Sequence, residues 1–146
     1  MLSYLHGIVL SGHSMDSWIL NLDDTCITNV LYCKSKRYGC DPYDPSEFKT
    51  WAMTGGIHGN ERDEETIGQV TTENLHKQGS VGYERLILRT AAYKGQNTVA
   101  YKSSISKQLV EQGYRIWGNV GDQWSDLQGD YLRNRDFTLP NPMIPI

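Results

Sequence analysis

Three short apolar runs alternate along the chain with longer segments of helical periodicity. The runs are SWILNLDD at 17–24, ERLILRT at 84–90 and YRIWGNVGD at 114–122, and polar or glycine-containing residues flank each of them. Short apolar runs with such flanks are typical of buried parallel strands. The pattern therefore predicts three strands of one parallel sheet.

Helices are predicted between these runs. Apolar residues recur at helical spacing in 62–79 and in 97–113, and each segment ends at a glycine, as helices commonly do. A shorter helix is predicted from Ser46 to about Met53, with Ser46 as its N-cap. The proline-rich tail, 137–146, is predicted to be extended, with a short edge strand and then a loose end. The alternation indicates an α/β fold with helices on both faces of a parallel sheet.

Acidic residues follow two of the predicted strands. Asp23 and Asp24 end the first run, and Asp122 and Asp126 follow the third. Because ligands bind outside the carboxyl ends of parallel strands, we expect these carboxylates near one rim of the sheet, where they suit Mg²⁺ and a phosphate group. The alternative is that each residue caps a helix, a role for which Asp is preferred.

The length and net charge of the chain limit its number of domains and the classes of partner that it could bind. With 146 residues, 38% of them hydrophobic, the chain has the size of one domain, 1–146. The net charge is -3, and the dispersed Lys and Arg leave no electrostatic footprint for nucleic acid. No apolar stretch approaches the roughly 18 residues needed to cross a bilayer. We expect neither nucleic acid nor a membrane as a partner.

The three cysteines, Cys26, Cys33 and Cys40, fall in one segment without a zinc-ligand spacing. Buried or unreactive thiols are the simplest interpretation. A Cys33–Cys40 disulfide in an oxidising compartment stays open, because spacing alone does not decide it.

Four stretches carry a family resemblance: RYGCDPYDP, RDEETIGQVTTENLHKQG, GYERLILRTAAYKGQ and EQGYRIWGNVGDQWSDLQGDYLRNR. From about Asp16 to Met143 the chain resembles the plant acid phosphatases and vegetative storage proteins of the haloacid-dehalogenase superfamily, of class B acid phosphatase type. The resemblance implies a Rossmann-like haloacid-dehalogenase core, Mg²⁺, and hydrolysis of small phosphomonoesters through an aspartyl-phosphate. It leaves a homodimer open. The proteins that the chain resembles are vacuolar or secreted, but no Lys or Arg precedes the apolar patch at the N-terminus, as a secretory signal requires, so the compartment stays open.

The resemblance places the superfamily's first motif, Asp-x-Asp-x-Thr, at Asn21-Leu22-Asp23-Asp24-Thr25. Asn21 therefore stands at the position of the nucleophile, Asp23 at that of the general acid and base, and Thr25 among the substrate-binding residues. A neutral amide oxygen is neither anionic nor readily activated, so covalent catalysis is not expected from Asn21.

Two further motifs are retained. Lys102 matches the lysine that steadies the phosphoryl group, although other lysines lie nearby and a solvated helix face would be the simpler interpretation without the resemblance. The fourth motif, Gly-Asp-x-x-x-Asp, is intact at 121–126. The resemblance thus assigns Asp23, Asp122 and Asp126 as metal ligands. Because an amide replaces one carboxylate of the cluster, we expect weakened affinity for Mg²⁺.

The second motif is missing. Relatives carry a helix and a strand that end in Thr-Gly-Arg, whereas this chain has only the six residues 56–61 between Gly55 and Arg62. A crossover to a parallel strand takes about a dozen residues or more. Arg62 matches the substrate-binding Arg of the family, but the Thr is absent. The prediction is a truncated core without this helix and strand and without the N-terminal cap segment of relatives, and an incomplete gene model stays open as the cause.

Three functions stay open. One is a phosphatase-family protein with impaired or no turnover, in which Asp23, Lys102, Asp122 and Asp126 keep the roles that the resemblance gives them. Another is a non-catalytic protein of the vegetative-storage type that retains the scaffold. The third and weakest is a module that binds phosphate or a metal without turnover. Loss of a catalytic nucleophile costs about 10⁶-fold in rate elsewhere, which favours weak or absent activity.

Overall fold

The structure is a computed structural model that describes residues 1–10, 12, 15–53, 64–130 and 134–141. Its elements, in chain order, are α1 (Leu2–His6), β1 (Asp16–Leu20), α2 (Val30–Ser35), α3 (Pro45–Met53), α4 (Glu64–Lys77), α5 (Thr98–Glu111), β2 (Arg115–Gly121), α6 (Trp124–Leu127) and β3 (Asp136–Thr138). Two short 3₁₀ turns span Arg37–Gly39 and Ala91–Tyr93. The fold is α/β with a parallel sheet, which confirms the predicted class.

β2 is the central strand of the sheet, and β1 and β3 lie parallel to it on either side. Leu20 at the end of β1 pairs with Val120, and Val120 in turn pairs with Phe137 of β3. The central strand is well covered, since Ile116 is 2% exposed and Val120 is 4% exposed. Because the strands are parallel, the residues that follow β1 and β2 emerge side by side at one edge of the sheet.

Aromatic side chains join α1 to the sheet. The ring of Tyr4 lies 5.6 Å from that of Phe137, and the ring of Trp18 lies 5.7 Å from the same phenyl group. The Tyr4 hydroxyl donates to the backbone carbonyl of Trp117 at 3.2 Å. Such tilted rings combine burial of apolar area with favourable quadrupole contacts. The N-terminal helix therefore packs against the sheet through the half-buried ring of Tyr4.

The two long helices form where the sequence predicts them. α5 begins after Asn97, whose Oδ1 atom accepts a hydrogen bond from the N–H of Ala100 at 2.8 Å. α4 and α5 are followed by glycines with positive φ, 80° at Gly79 and 94° at Gly113. That conformation is one that glycine adopts readily and that commonly ends a helix. The predicted edge strand in the tail is also confirmed, as β3; 142–146 lies outside the described residues.

The start of α3 differs from the prediction. The helix begins at Pro45, and Oδ1 of Asp44 accepts hydrogen bonds from the N–H groups of Ser46 at 2.8 Å and Glu47 at 3.1 Å. Asp44 is therefore the N-cap, and the assignment of Ser46 to that role was wrong. Pro45 explains the shift, because proline has no N–H to be capped and its fixed φ suits the first helical position.

The predicted strand at 84–90 does not form. These residues adopt neither strand nor helix, so this prediction was wrong. A strand needs a neighbour that shares its N–H and C=O groups. Within the described part of the chain β1 pairs with β2 alone, and the six residues 56–61 are too few for a crossover to a further parallel strand. An apolar run becomes a strand only where the chain supplies a partner.

The described residues divide into two compact units. The first comprises Met1–Thr25 and Gly95–Asn141 and contains the whole sheet. The second lies within Cys26–Lys94, where the buried ring of Tyr32 lies 4.9 Å from that of Phe48. The three cysteines are free thiols, so no disulfide joins any pair of them. The described helices are all too short or too polar to span a lipid bilayer.

Candidate functional site

The candidate site lies in the first unit, at the carboxyl edge of the sheet. Asn21 follows β1 directly and continues its pairing, because its backbone N–H donates to the carbonyl of Val120 at 2.8 Å. Asp122 follows β2 in the same way. α5 contributes Lys102 and α6 contributes Asp126. Four side chains from three separate segments of the sequence therefore meet at one edge, as expected for a parallel sheet.

The side-chain amide of Asn21 lies between two carboxylates. Its Nδ2 atom donates to Oδ2 of Asp126 at 2.9 Å, to Oδ1 of Asp122 at 3.1 Å and to the backbone carbonyl of Asp23 at 3.1 Å. Its Oδ1 atom accepts from Nζ of Lys102 at 3.1 Å. Since ionised carboxylates only accept and an ammonium group only donates, these partners determine which end of the amide faces which group.

Asp126 is 4% exposed and forms an ion pair with Lys102. Its Oδ2 atom also accepts from the backbone N–H of Gln123 at 3.1 Å, which is one half of a capping box at the start of α6. The side-chain amide of Asn119 donates to the backbone carbonyl of Asp126. Asp126 therefore caps a helix and also belongs to the acidic rim. The two alternatives that the sequence left open for this residue, a rim carboxylate and a helix cap, are both correct.

Asp122 is 8% exposed and accepts hydrogen bonds from three side chains. Besides the amide of Asn21, the hydroxyl of Thr25 donates to Oδ1 at 3.2 Å and the buried side-chain amide of Asn141 donates to Oδ2 at 2.8 Å. Sequence reasoning placed Thr25 with the substrate and missed Asn141. No motif marks an asparagine within a proline-rich tail, so only the folded chain reveals this contact.

Gly121 is required by the close approach of Asp126. A Cβ atom at residue 121 would lie 2.9 Å from Cγ of Asp126 and 2.6 Å from its Oδ2. Real Cβ atoms do not approach other atoms so closely, and a packed core resists added atoms. The glycine of the fourth motif thus makes room for the aspartate that ends it.

The other predicted site residues are placed as follows. Asp23 is exposed and meets Asn21 through its backbone carbonyl. Lys107 pairs with Glu111 at 3.8 Å, which leaves Lys102 as the lysine that α5 contributes to the site. Arg62 lies outside the described residues, so its predicted role in substrate binding stays a prediction.

The residues at the rim do not fit a divalent cation. Mg²⁺ takes six oxygen ligands in near-octahedral geometry. Here the N–H₂ group of Asn21, which only donates, faces Oδ1 of Asp122 and Oδ2 of Asp126, the inner oxygens of the pair. Among the residues that the structure describes, no group of three or more His, Cys, Asp and Glu side chains could hold a metal ion.

Comparison with known families identifies the scaffold. The family model for the haloacid-dehalogenase superfamily, subfamily IIIB (acid phosphatase), matches residues 1–61 and 57–146. The chain belongs to this family. The membership confirms the resemblance seen in the sequence, and it agrees with the α/β fold and its parallel sheet.

Relatives of the acid phosphatase family cover most of the chain. Acid phosphatase 1 of Solanum lycopersicum is 34% identical over 160 residues, with 96% of this chain and 63% of the relative covered. Vegetative storage protein 2 of Arabidopsis thaliana is 34% identical over 163 residues, covering 96% and 60%. Stem 31 kDa glycoprotein of Glycine max is 33% identical over 152 residues, covering 90% and 60%. The chain spans about three fifths of the length of these relatives.

The family match consists of two separately aligned stretches. They overlap at 57–61, between Gly55 and Arg62, where the sequence lacks the second-motif helix and strand. The alignment with the tomato phosphatase extends over 160 positions, more than the 146 residues of the chain, so it contains gaps opposite residues of the relative. Both findings agree with the short second-motif segment.

Proposed function

We propose that this chain is an acid-phosphatase-family protein with little or no phosphomonoester hydrolase activity. The observation that supports the proposal is the position of Asn21, whose amide hydrogens face Asp122 and Asp126 and whose oxygen accepts from Lys102. In the family, this position supplies the nucleophile. A scaffold without a nucleophile can fold and can bind a ligand, but it cannot form the covalent aspartyl-phosphate intermediate.

The chemistry of residue 21 explains the expected loss. An aspartyl-phosphate forms when an anionic carboxylate oxygen attacks phosphorus and the ester oxygen departs. The carboxamide oxygen of Asn21 carries no formal charge, and Lys102 draws further electron density from it through a hydrogen bond at 3.1 Å. No neighbouring base can make it anionic, since an amide has no acidic proton in the accessible range. A loss of about 10⁶-fold is the scale for removing a nucleophile in other enzymes.

The second motif strengthens the proposal. Relatives bind the phosphoryl oxygens with the Thr of that motif, and this chain has only 56–61 in its place. Thr25, the other predicted substrate contact, donates its hydroxyl to Asp122 at 3.2 Å. Lys102 is engaged by Asp126 and Asn21. Thr25 and Lys102, the described residues predicted to hold a phosphate, are therefore bonded within the site, and Arg62 lies outside the described residues.

A storage role is the second candidate function. Two of the relatives bear the name vegetative storage protein, and each is at least 32% identical to this chain over 96% of its length. Storage requires a stable scaffold and no turnover. A buried network that stabilises the rim while lacking a nucleophile suits that requirement.

Hydrolysis of an aryl phosphate tests the proposal. We expect purified protein, assayed with Mg²⁺ at mildly acid pH, to release no more product than its Asp122→Asn variant. Acid phosphatase 1 of Solanum lycopersicum serves as the positive control, and Asn21→Asp is assayed beside the wild type. Magnesium-dependent turnover in the wild type that is lost in Asp122→Asn would overturn the proposal, as would a phospho-adduct at residue 21 found by mass spectrometry.

A further inference from the structure

We propose that Asn21 and Lys102 take the place of a divalent cation in this chain, holding Asp122 and Asp126 together so that the rim is complete without Mg²⁺. The inference rests on the proposed function and concerns the same residues. It adds that one substitution, at residue 21, removes both the nucleophile and the metal site. The rim is then a structural network rather than a vacant catalytic centre.

The two carboxylates need a group between them. Ionised carboxylates that share a site repel each other, and charged groups removed from water need partners. Asp122 and Asp126 are both buried, and each turns one oxygen toward Nδ2 of Asn21, at 3.1 Å and 2.9 Å. A hydrogen-bond donor thus occupies the space between the oxygens, where a cation would otherwise offset the repulsion.

The outer oxygens of the pair are also bonded. Oδ2 of Asp122 accepts from Asn141, and Oδ1 of Asp126 accepts from Lys102, which supplies the one positive charge of the network. Across the described residues, no buried side-chain nitrogen or oxygen lacks a hydrogen bond. The network therefore satisfies its own polar groups.

Binding of Mg²⁺ would break this arrangement. The hydrogens of Nδ2 face the inner oxygens, so the amide would have to rotate to offer its oxygen to the ion. Rotation would remove the donor from both Asp122 and Asp126 and would turn N–H groups toward the ammonium group of Lys102. Each lost bond leaves a buried group unsatisfied, which is costly. The neutral amide returns no charge to attract the cation.

Asn21→Asp should make binding of a divalent cation at the rim favourable. The variant places a third negative oxygen beside the inner oxygens of Asp122 and Asp126, where the donor stood. Repulsion among three carboxylates should destabilise the folded state, and a divalent cation should relieve it, because carboxylate oxygens are the preferred ligands of Mg²⁺. Stability that depends on metal is therefore the signature of the variant and not of the wild type.

Thermal unfolding of the full chain in EDTA and in millimolar Mg²⁺ measures this signature. The matched control is Asn97→Asp, which makes the same chemical change at the cap of α5, where Asp serves as well as Asn. We expect the wild type and Asn97→Asp to melt within about 1 °C of the same temperature in both buffers. Asn21→Asp should melt lower in EDTA and gain about 4 °C or more in Mg²⁺.

Binding of Mn²⁺, followed by its EPR signal, examines the wild type directly. We expect no saturable site in the wild type and one in Asn21→Asp. A Mn²⁺ site in the wild type that disappears in Asp126→Asn would overturn the inference, and so would an Asn21→Asp variant whose melting ignores Mg²⁺. If Asn21→Asp refolds in neither buffer, Asn21→Ser replaces it, since serine removes the amide without adding charge. Stabilisation of Asn21→Ser by Mg²⁺ would support the inference. A melting temperature of Asn21→Ser that does not change with Mg²⁺ would overturn it.

The outcomes separate this inference from the proposed function. An inactive wild type that binds Mn²⁺ at the rim would overturn the inference and leave the proposed function standing. Turnover of an aryl phosphate by the wild type would overturn the proposed function itself.

Discussion

The side-chain amide of Asn141 donates to Oδ2 of Asp122 at 2.8 Å, and this bond ties the end of the described chain to the residue that follows the central strand. Both residues are buried. We expect Asn141→Ala to lower the free energy of unfolding by about 1–3 kcal/mol, because the carboxylate loses a donor while it stays out of water. Chemical denaturation measures the change.

Asn134→Ala is the control for this prediction. Asn134 is exposed and its backbone N–H, which the substitution retains, donates to Ile116. A surface change of this kind should stay within about 0.5 kcal/mol. Equal effects of the two substitutions would show that the bond to Asp122 does not stabilise the fold.

Gly121→Ala should destabilise the protein by about 1–3 kcal/mol, the usual cost of overpacking. The added Cβ would lie 2.6 Å from Oδ2 of Asp126, so either the β2 terminus or α6 must move. Gly68→Ala makes the same change within α4, where a Cβ would meet nothing within 4 Å. Because alanine favours helices, Gly68→Ala should stabilise by about 0.5–1 kcal/mol. We expect the two substitutions to change the melting temperature in opposite directions. An unchanged melting temperature for Gly121→Ala would contradict the close contact between residue 121 and Asp126.

The cysteines should differ in reactivity toward iodoacetamide. Burial raises the pKa of the Cys26 thiol, whereas Cys40 is exposed. The thiolate is the reactive form, so below the raised pKa Cys26 presents little of it, and its rate should climb about tenfold for each pH unit until that pKa is reached. At neutral pH, peptide mass spectrometry should find Cys40 labelled before Cys26. Denaturant should abolish the difference, and faster labelling of Cys26 in the native protein would contradict the prediction.

Local signals predicted those elements that local interactions form. α4 and α5 have helical periodicity and a terminal glycine within their own sequence, and the apolar runs of β1 and β2 have partners in each other. The run at 84–90 looks the same as these strands, but strand formation depends on a distant neighbour that no local pattern reveals. The cap of α3 was misplaced by two residues because Pro45 moves the start of the helix ahead of Ser46.

The candidate site likewise has features that the sequence predicts and features that it does not. Ligands lie at the carboxyl ends of parallel strands, and this rule predicts that the end of β1 meets Asp122 and Asp126 at one edge of the sheet, where they are found. The bond from Asn141 and the direction of the Asn21 amide depend instead on which side chains are packed together. The sequence identifies an amide, but the packing around it decides which of its two ends faces a carboxylate.

The capping box at Gln123 and Asp126 has an implication for how the motif is used as a diagnostic. One carboxylate initiates α6 and also anchors Lys102, so mutation of Asp126 would harm the architecture even in a protein that has no chemistry to perform. An intact Gly-Asp-x-x-x-Asp in a chain of this kind therefore reports that the loop after the strand is well formed. Under the proposed function, it is residue 21 that decides whether a reaction can follow.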